Sequence, residues 1–226
     1  MNEFFISLFP NVYELHRDLI KSVRDTFIMV GISGAIGITL GMIFGILLVS
    51  TAKGGLYEKK PLNSVVDKII NTARSIPFVI LIALLVGFTR FVVGTSIGIR
   101  GAIVPMVIGI IPLTSRMTEQ ALLEVDKGVI EAARSMGLSR MYIIFHVLLP
   151  ESMPSLIRSL VTSFISLIGL STMAGTVGGG GIGNFAIRYG YSRYMQDITV
   201  VTVILLLIIV NIVQGVGNAA AKKATH

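Results

Sequence analysis

Charged residues divide this chain into five apolar stretches, and their spacing predicts membrane-spanning helices. The first stretch lies between Asp25 and Lys53 and contains FIMVGISGAIGITLGMIFGILLV, 23 residues. At a rise of ~1.5 Å per residue it exceeds the ~30 Å thickness of a bilayer core. Two more, between Arg158 and Arg188 and between Asp197 and Lys222, are also long enough to cross. The remaining two hold 15 uncharged residues each, Arg74 to Arg90 and Arg100 to Arg116, and need their flanks to span. Pro77 interrupts one and Pro105 and Pro112 the other, so both are expected to be kinked or broken. The pattern predicts an all-α, polytopic membrane protein: a single domain over residues 1–226 with spans near 26–50, 70–93, 101–122, 156–177 and 198–218.

Composition agrees with this pattern. Over 226 residues, 53% are hydrophobic and 14% charged, with a mean hydropathy of +0.83, far from the balance of a soluble domain. The net charge of +7 lies in short gaps between apolar runs and forms no basic stripe, so nucleic acid is not an expected partner, whereas membrane lipid is. No cysteine is present, and the histidines, His16, His146 and His226, form no H-E-x-x-H or same-face pair. Neither a metal site nor a catalytic residue is expected.

Lysine and arginine counts set the expected orientation. With the gap after the first span in the cytoplasm, the inner loops and tail carry 12 of these residues and the outer segments 7. The N-terminus is expected outside and the C-terminus inside. Glu3, Glu14, Asp18 and Asp25 outnumber the three bases of the first 25 residues, unlike a signal peptide's positive n-region.

The longest inner loop, between the third and fourth spans, contains EAARSMGLSRMYIIFHVLLPES, residues 131–152. Helix formers from Val129 to Met136 lead into Gly137, a residue suited to the left-handed turn that ends a helix. Ser139 can then cap a second helix with Met141, Ile144, Phe145 and Leu148 on one face, until Pro150 and Pro154 end it. The product is a short helix, a sharp turn and an amphipathic helix near the membrane surface, with something apolar covering the first.

Glu131-Ala132-Ala133, Gly137, Val147 and Leu149-Pro150 resemble the EAA motif of permease subunits of bacterial ABC importers, with Val147 replacing that pattern's isoleucine. The resemblance implies that the loop forms a coupling helix docked on a separate ATPase subunit. Its contact residues would be Glu131, Ala132, Ala133, Met136, Gly137, Leu138 and Arg140. Glu131 would make polar contacts, the two alanines a close-packing surface, and Gly137 the turn. Residues 74–98 and 175–191 are similar to permeases of methionine importers. That likeness implies a homodimer in a bacterial inner membrane, two ATPase subunits, and a binding protein or lipoprotein outside. The sequence lacks G-x-x-x-x-G-K-[ST], so no cofactor is expected on this chain and ATP would be used by the partner.

Elsewhere the residues leave alternatives open. Gly181, Gly183 and Ala186 satisfy a G-x-G-x-x-A dinucleotide pattern, but no strand pattern precedes them and no acid follows about twenty positions on. The run Gly178, Gly179, Gly180, Gly181 and Gly183 reads either as an outer gate or as a tight packing turn. Tyr189, Tyr191 and Tyr194 beside it suit an outer interfacial belt. Pro77, Pro112 and Met173 read either as pathway residues, the prolines through freed backbone and Met173 through a soft thioether, or as packing kinks and ordinary core filling. Ser33, Gly37, Gly41 and Gly45 form a small-residue stripe for close helix contact, within the chain or across a dimer. An ATP-driven amino-acid permease, methionine foremost, is the expected function. Another amino-acid importer of the same type and a secondary transporter are the alternatives.

Overall fold

The computed structural model describes residues 8–224; Glu3 and His226 lie outside them. Among the described residues the regular structure is entirely helical: α1 (Pro10–Glu14), α2 (His16–Thr51), α3 (Lys60–Arg74), α4 (Phe78–Leu84), α5 (Val86–Val93), α6 (Gly98–Leu123), α7 (Lys127–Ser135), α8 (Arg140–Ile143), α9 (Leu149–Glu151), α10 (Met153–Thr176), α11 (Gly181–Phe185) and α12 (Gln196–Lys223). Two π-helical segments, Ile144–Leu148 and Ala186–Tyr191, complete it. Four helical stretches are long and apolar enough to cross a membrane: His16–Thr51, Gly98–Leu123, Met153–Tyr191 and Gln196–Lys223.

The expected span at 70–93 resolves into parts of α3, α4 and α5. Ile76 precedes a proline and is disfavoured in the helical region, and Pro77 opens α4 with φ −57° and ψ 133°. At Leu85 the helix bends without losing its ladder, since Leu85 N donates to Leu81 O (3.0 Å) and Thr89 N to Leu85 O (2.7 Å). Pro105 and Pro112, in contrast, do not break α6, which runs unbroken from Gly98 to Leu123. Both are buried. An interior proline deletes one backbone bond, and packing against protein lets a membrane helix absorb that loss.

Contacts divide the chain into two compact units. The first comprises the segment up to Ile36, Pro77–Ile108 and Phe164–Ile212; the second comprises Gly37–Ile76, Gly109–Ser163 and the segment from Val213. In the first unit Ser33, fully buried, donates to Ile103 O of α6 at 3.4 Å. Val12, Phe185 and Ile198 form a core there. The adjoining polar contacts are the Asn11 amide group and backbone N–H donating to the Asp197 carboxylate (2.9 and 3.0 Å), and the Tyr189 hydroxyl donating to Asp18 (3.0 Å).

In the second unit the small-residue stripe of α2 meets α6 of the same chain. A Cβ on Gly41 would lie 2.5 Å from Thr114 Cβ, and one on Gly45 would lie 2.7 Å from Ser115 O and 2.6 Å from Thr118 Cβ. With nothing but hydrogen at those positions the two backbones come close enough for dispersion contact, the main attraction available between helices in lipid. Thr114 Oγ1 donates in turn to Ser163 of α10 (3.1 Å). Arg116, with a side chain 15% exposed, ties α6 to α3 through Asp67 and pairs with Glu119 one turn on (2.6 Å).

Gly45→Ala is expected to destabilise the protein by about 1–3 kcal/mol, because the new methyl group meets a backbone oxygen that cannot move aside. Gly31→Ala, where nothing lies within 4 Å, should leave thermal unfolding in detergent unchanged.

Candidate coupling loop and glycine turn

The loop after α6 is defined at both ends by side-chain caps. Asp126 accepts a hydrogen bond from Gly128 N (2.6 Å) and starts α7. At the other end Gly137 adopts φ +76°, Gly137 N donates to Arg134 O (2.9 Å) and Leu138 N to Ala133 O (3.3 Å). That pair of bonds closes the helix in a Schellman turn. Ser139 then accepts from Tyr142 N (3.3 Å) and opens α8. Only Met136 to Ser139 separate the two helices.

The faces of this loop differ from the expected ones. Ala133 (2% exposed), Ile143 and Ile144 are buried with Leu56, and Ile130, Leu138 and Val147 pack against them. The first helix is thus covered by its own chain along one side, with Ala133 turned inward and Glu131 and Ala132 exposed. Met141 and Phe145 are exposed instead of joining Ile144 and Leu148. The π-helical turn from Ile144 explains part of this shift, since its i→i+5 bonding advances fewer degrees per residue than an α-helix. Nor do the prolines end the segment: the helical run continues past Pro150 and Pro154 into α10, with Ser152 N donating to Leu148 O (3.1 Å) and Leu156 N to Ser152 O (2.8 Å). Arg140 lies over the Tyr57 ring at 5.4 Å.

Val129, Met136, Met141 and Phe145 remain exposed around the loop, Met136 to 71%. Of these, Val129 lies on α7, Met136 caps it, and Met141 and Phe145 follow the turn.

The glycine run forms a packed turn in the first unit. Gly178, Gly180 and Gly181 have φ between 75° and 88°, a region that side chains with a Cβ rarely enter. Gly179 lies against Ala174 and Gly183 against the Thr172 backbone, with no room for a Cβ. Thr26 Oγ1 accepts from Ile182 N (2.8 Å), Asn184 Nδ2 donates to Gly175 O (3.1 Å), and Gly98 N donates to Gly178 O (3.0 Å). Beside this turn, Tyr191 and Tyr194 are 75% and 88% exposed while Tyr189 is half-buried between Arg188 and Arg193.

The three pathway candidates are not equivalent. Pro112 is buried within the second unit, whereas Pro77 and Met173 belong to the first and are exposed, Met173 to 47%. Sequence reading missed the Asp67–Arg116–Glu119 cluster. Its only local signal is the i,i+3 spacing of Arg116 and Glu119 on one helix face.

The sequence profile of the binding-protein-dependent transport system inner membrane component matches residues 37–222. The chain belongs to that family. It is 44% identical over 95% of its length, and 96% of the relative's, to a protein of Vibrio cholerae described as a probable D-methionine transport system permease protein, MetI. Identity to the Bacillus subtilis methionine import system permease protein MetP is 51%, covering 76% of this chain and 78% of that one. Among solved structures, a chain of the MetNI methionine ABC transporter in inward-facing conformations superposes with a TM-score of 0.92 at 39% identity, covering 94% of this chain and 99% of that one. The fold and the membrane component role of the family are therefore those of this chain.

Because Gly137 has nothing within 4 Å of a built Cβ, any substitution there acts through the backbone alone. Gly137→Val is expected to strain the turn by roughly 1–2 kcal/mol and to raise proteolytic cleavage between Glu124 and Arg140, leaving the thermal unfolding of the membrane helices nearly unchanged.

Proposed function

We propose that this chain is the membrane-spanning subunit of an ATP-driven importer of methionine. It works as a homodimer with two cytoplasmic ATPase subunits and an extracytoplasmic binding protein or lipoprotein. The observation that carries the reading is the 44% identity to a methionine transport permease along nearly the whole of both chains. The capped helix α7 supports it, because the exposed Val129, Met136 and Met141 give an ATPase groove something apolar to grip. Glu131 and Ala132 contribute the polar and close-packing contacts of that joint, and Arg140, Leu138 and inward-facing Ala133 hold it to the rest of the chain.

ATP is bound and hydrolysed by the partner, since this sequence holds no phosphate-binding loop. Closure of the ATPase pair moves α7, and the permease halves alternate between outward and inward openings. Gly169, Met173 and Thr176 follow one another at four- and three-residue spacing on α10, all exposed. This face, small and mixed in polarity, lines the path of an apolar amino acid. Pro77 at the break before α4 adds free backbone to the same unit, Pro112 acts only through the shape of α6, and the turn from Gly178 to Gly183 serves as the outer gate. The N-terminus is outside and the C-terminus in the cytoplasm.

Proteoliposomes holding the chain with its partners should accumulate labelled methionine; uptake of glutamine in preference to methionine would reassign the substrate. Met136→Asp should lower co-purification of the ATPase by about tenfold or more, since a carboxylate placed in an apolar contact loses its hydration, without changing thermal unfolding. Normal co-purification would place the joint elsewhere.

Orientation is read separately. The absence of cysteine permits single-site labelling, and Ser135→Cys and Ser192→Cys occupy exposed positions. Impermeant reagent should reach residue 192 only from outside and residue 135 only from the cytoplasm, and the reverse pattern would invert the topology.

A further inference from the structure

Where α2 ends, the second unit contains a cavity of about 400 Å³ lined on one side by α7. Its accessible apolar lining is formed by Val49, Leu123, Val125 and Ile130. Around it stand Lys53, Lys127 and Arg134, with Glu131 the one acid. Arg134 reaches only the backbone oxygen of Gly54, at 3.4 Å, and among the described residues none of these three bases has a carboxylate within ion-pair distance. Ser50, also in the lining, is 6% exposed, and its hydroxyl has no hydrogen-bond partner among the described residues. A buried hydroxyl left in that state costs free energy.

We infer that this cavity binds the headgroup and upper acyl segment of one anionic phospholipid. Its volume falls in the ~300–1,000 Å³ range of small-molecule sites. Three unpaired cations against one carboxylate select an anion, and a phosphate oxygen is the acceptor that two lysines and an arginine can share. The apolar part of the lining selects against a free anion, because a soluble phosphate would leave Leu123, exposed to 61%, and the half-buried Val49, Val125 and Ile130 in contact with water. Position argues the same way: Val49 and Ser50 are the last turn of a membrane-spanning helix and Lys53 follows it, so the cavity sits where a spanning helix meets the headgroup layer. Lys127, Glu131 and Arg134 all lie on α7, so an occupant would brace that helix. The inference stands on this chemistry alone and is independent of which substrate crosses.

The test uses the full chain co-purified with its ATPase subunit in nonionic detergent, with phosphatidylglycerol or phosphatidylcholine of matched acyl chains added and retained lipid counted by native mass spectrometry. Phosphatidylglycerol should be retained in preference, at one molecule per chain, and glycerol 3-phosphate should not displace it. Lys53→Gln with Lys127→Gln should reduce that retention about tenfold, as removal of two headgroup contacts predicts. Lys59→Gln with Lys68→Gln, two exposed lysines outside the cavity, should leave it unchanged. Equal retention of the two lipids, displacement by glycerol 3-phosphate, or an equal loss in both double variants would overturn the inference. The last of these would mean diffuse attraction to the headgroup layer in place of a site.

Discussion

Backbone N–H and C=O groups inside a bilayer have no water to bond to, and each one left unpaired costs several kcal/mol. Long helices solve this along most of the chain, so every interruption has to be supplied with partners locally. The first unit shows how. Two glycine-rich breaks, at Gly94–Gly98 and Gly178–Gly181, bond to each other through Gly98 N and Gly178 O, while a hydroxyl from α2 takes the first free donor of α11. Three left-handed glycines are needed to fold the second break that tightly. Conformational freedom in the unfolded chain here becomes a fixed, buried turn in the folded one.

The same constraint governs the hydroxyl side chains. Ser115 bonds to Ile111 O, Ser163 to Ser159 O, Ser171 to Ile168 O and Thr202 to Ile198 O, each one turn back on its own helix. A hydroxyl satisfied in this way behaves as a small, nearly apolar surface toward the neighbouring helix. Thr114 and Thr118 lie against Gly41 and Gly45 through their Cβ and methyl carbons, not through their hydroxyls. Buried hydroxyls that escape the pattern carry more information. Ser50 is one, and it lies on the cavity ringed by lysine and arginine. Thr118 Oγ1 is another, wedged where α2 comes closest and no cavity opens.

Features written in local sequence were legible. Gly137 and Ser139 act through bonds to residues three positions away, so the helix, turn and helix of the loop could be read from spacing alone, and the lengths of the apolar runs gave the four long apolar helices among the described residues. Features that depend on what packs alongside were not. Pro105 and Pro112 carry the same local signal as Pro77, yet only Pro77 breaks its helix. The π-helical turn at Ile144–Leu148 has no spacing signature, and it shifts which side chains are buried enough to leave Phe145 outside. Arg116 stood at the edge of an apolar run, and nothing in the order of residues placed Asp67 beside it. For the stripe on α2, small residues announced close contact but could not name the partner, which is α6 of the same chain.

These two kinds of information meet in the loop from Asp126 to Glu151. Local caps fix the angle between α7 and α8, and the long-range contact of Ala133 with Leu56, Ile143 and Ile144 fixes α7 against the body of its unit. With only Met136 to Ser139 between the helices, and the turn at Gly137 closed by the bonds of Gly137 N and Leu138 N, little slack remains for α7 to move independently. A push on its exposed face must therefore pass into Ile143 and Ile144, which open the π-helical turn. Such turns hold one residue more than the α-helix around them and recur at functional sites. In the proposed transport cycle that turn is the element best placed to convert movement of α7 into movement of α10, to which it is joined through Leu149 and Ser152. A rigid lever anchored to an adjustable segment explains why the loop combines strong local capping with an irregular continuation.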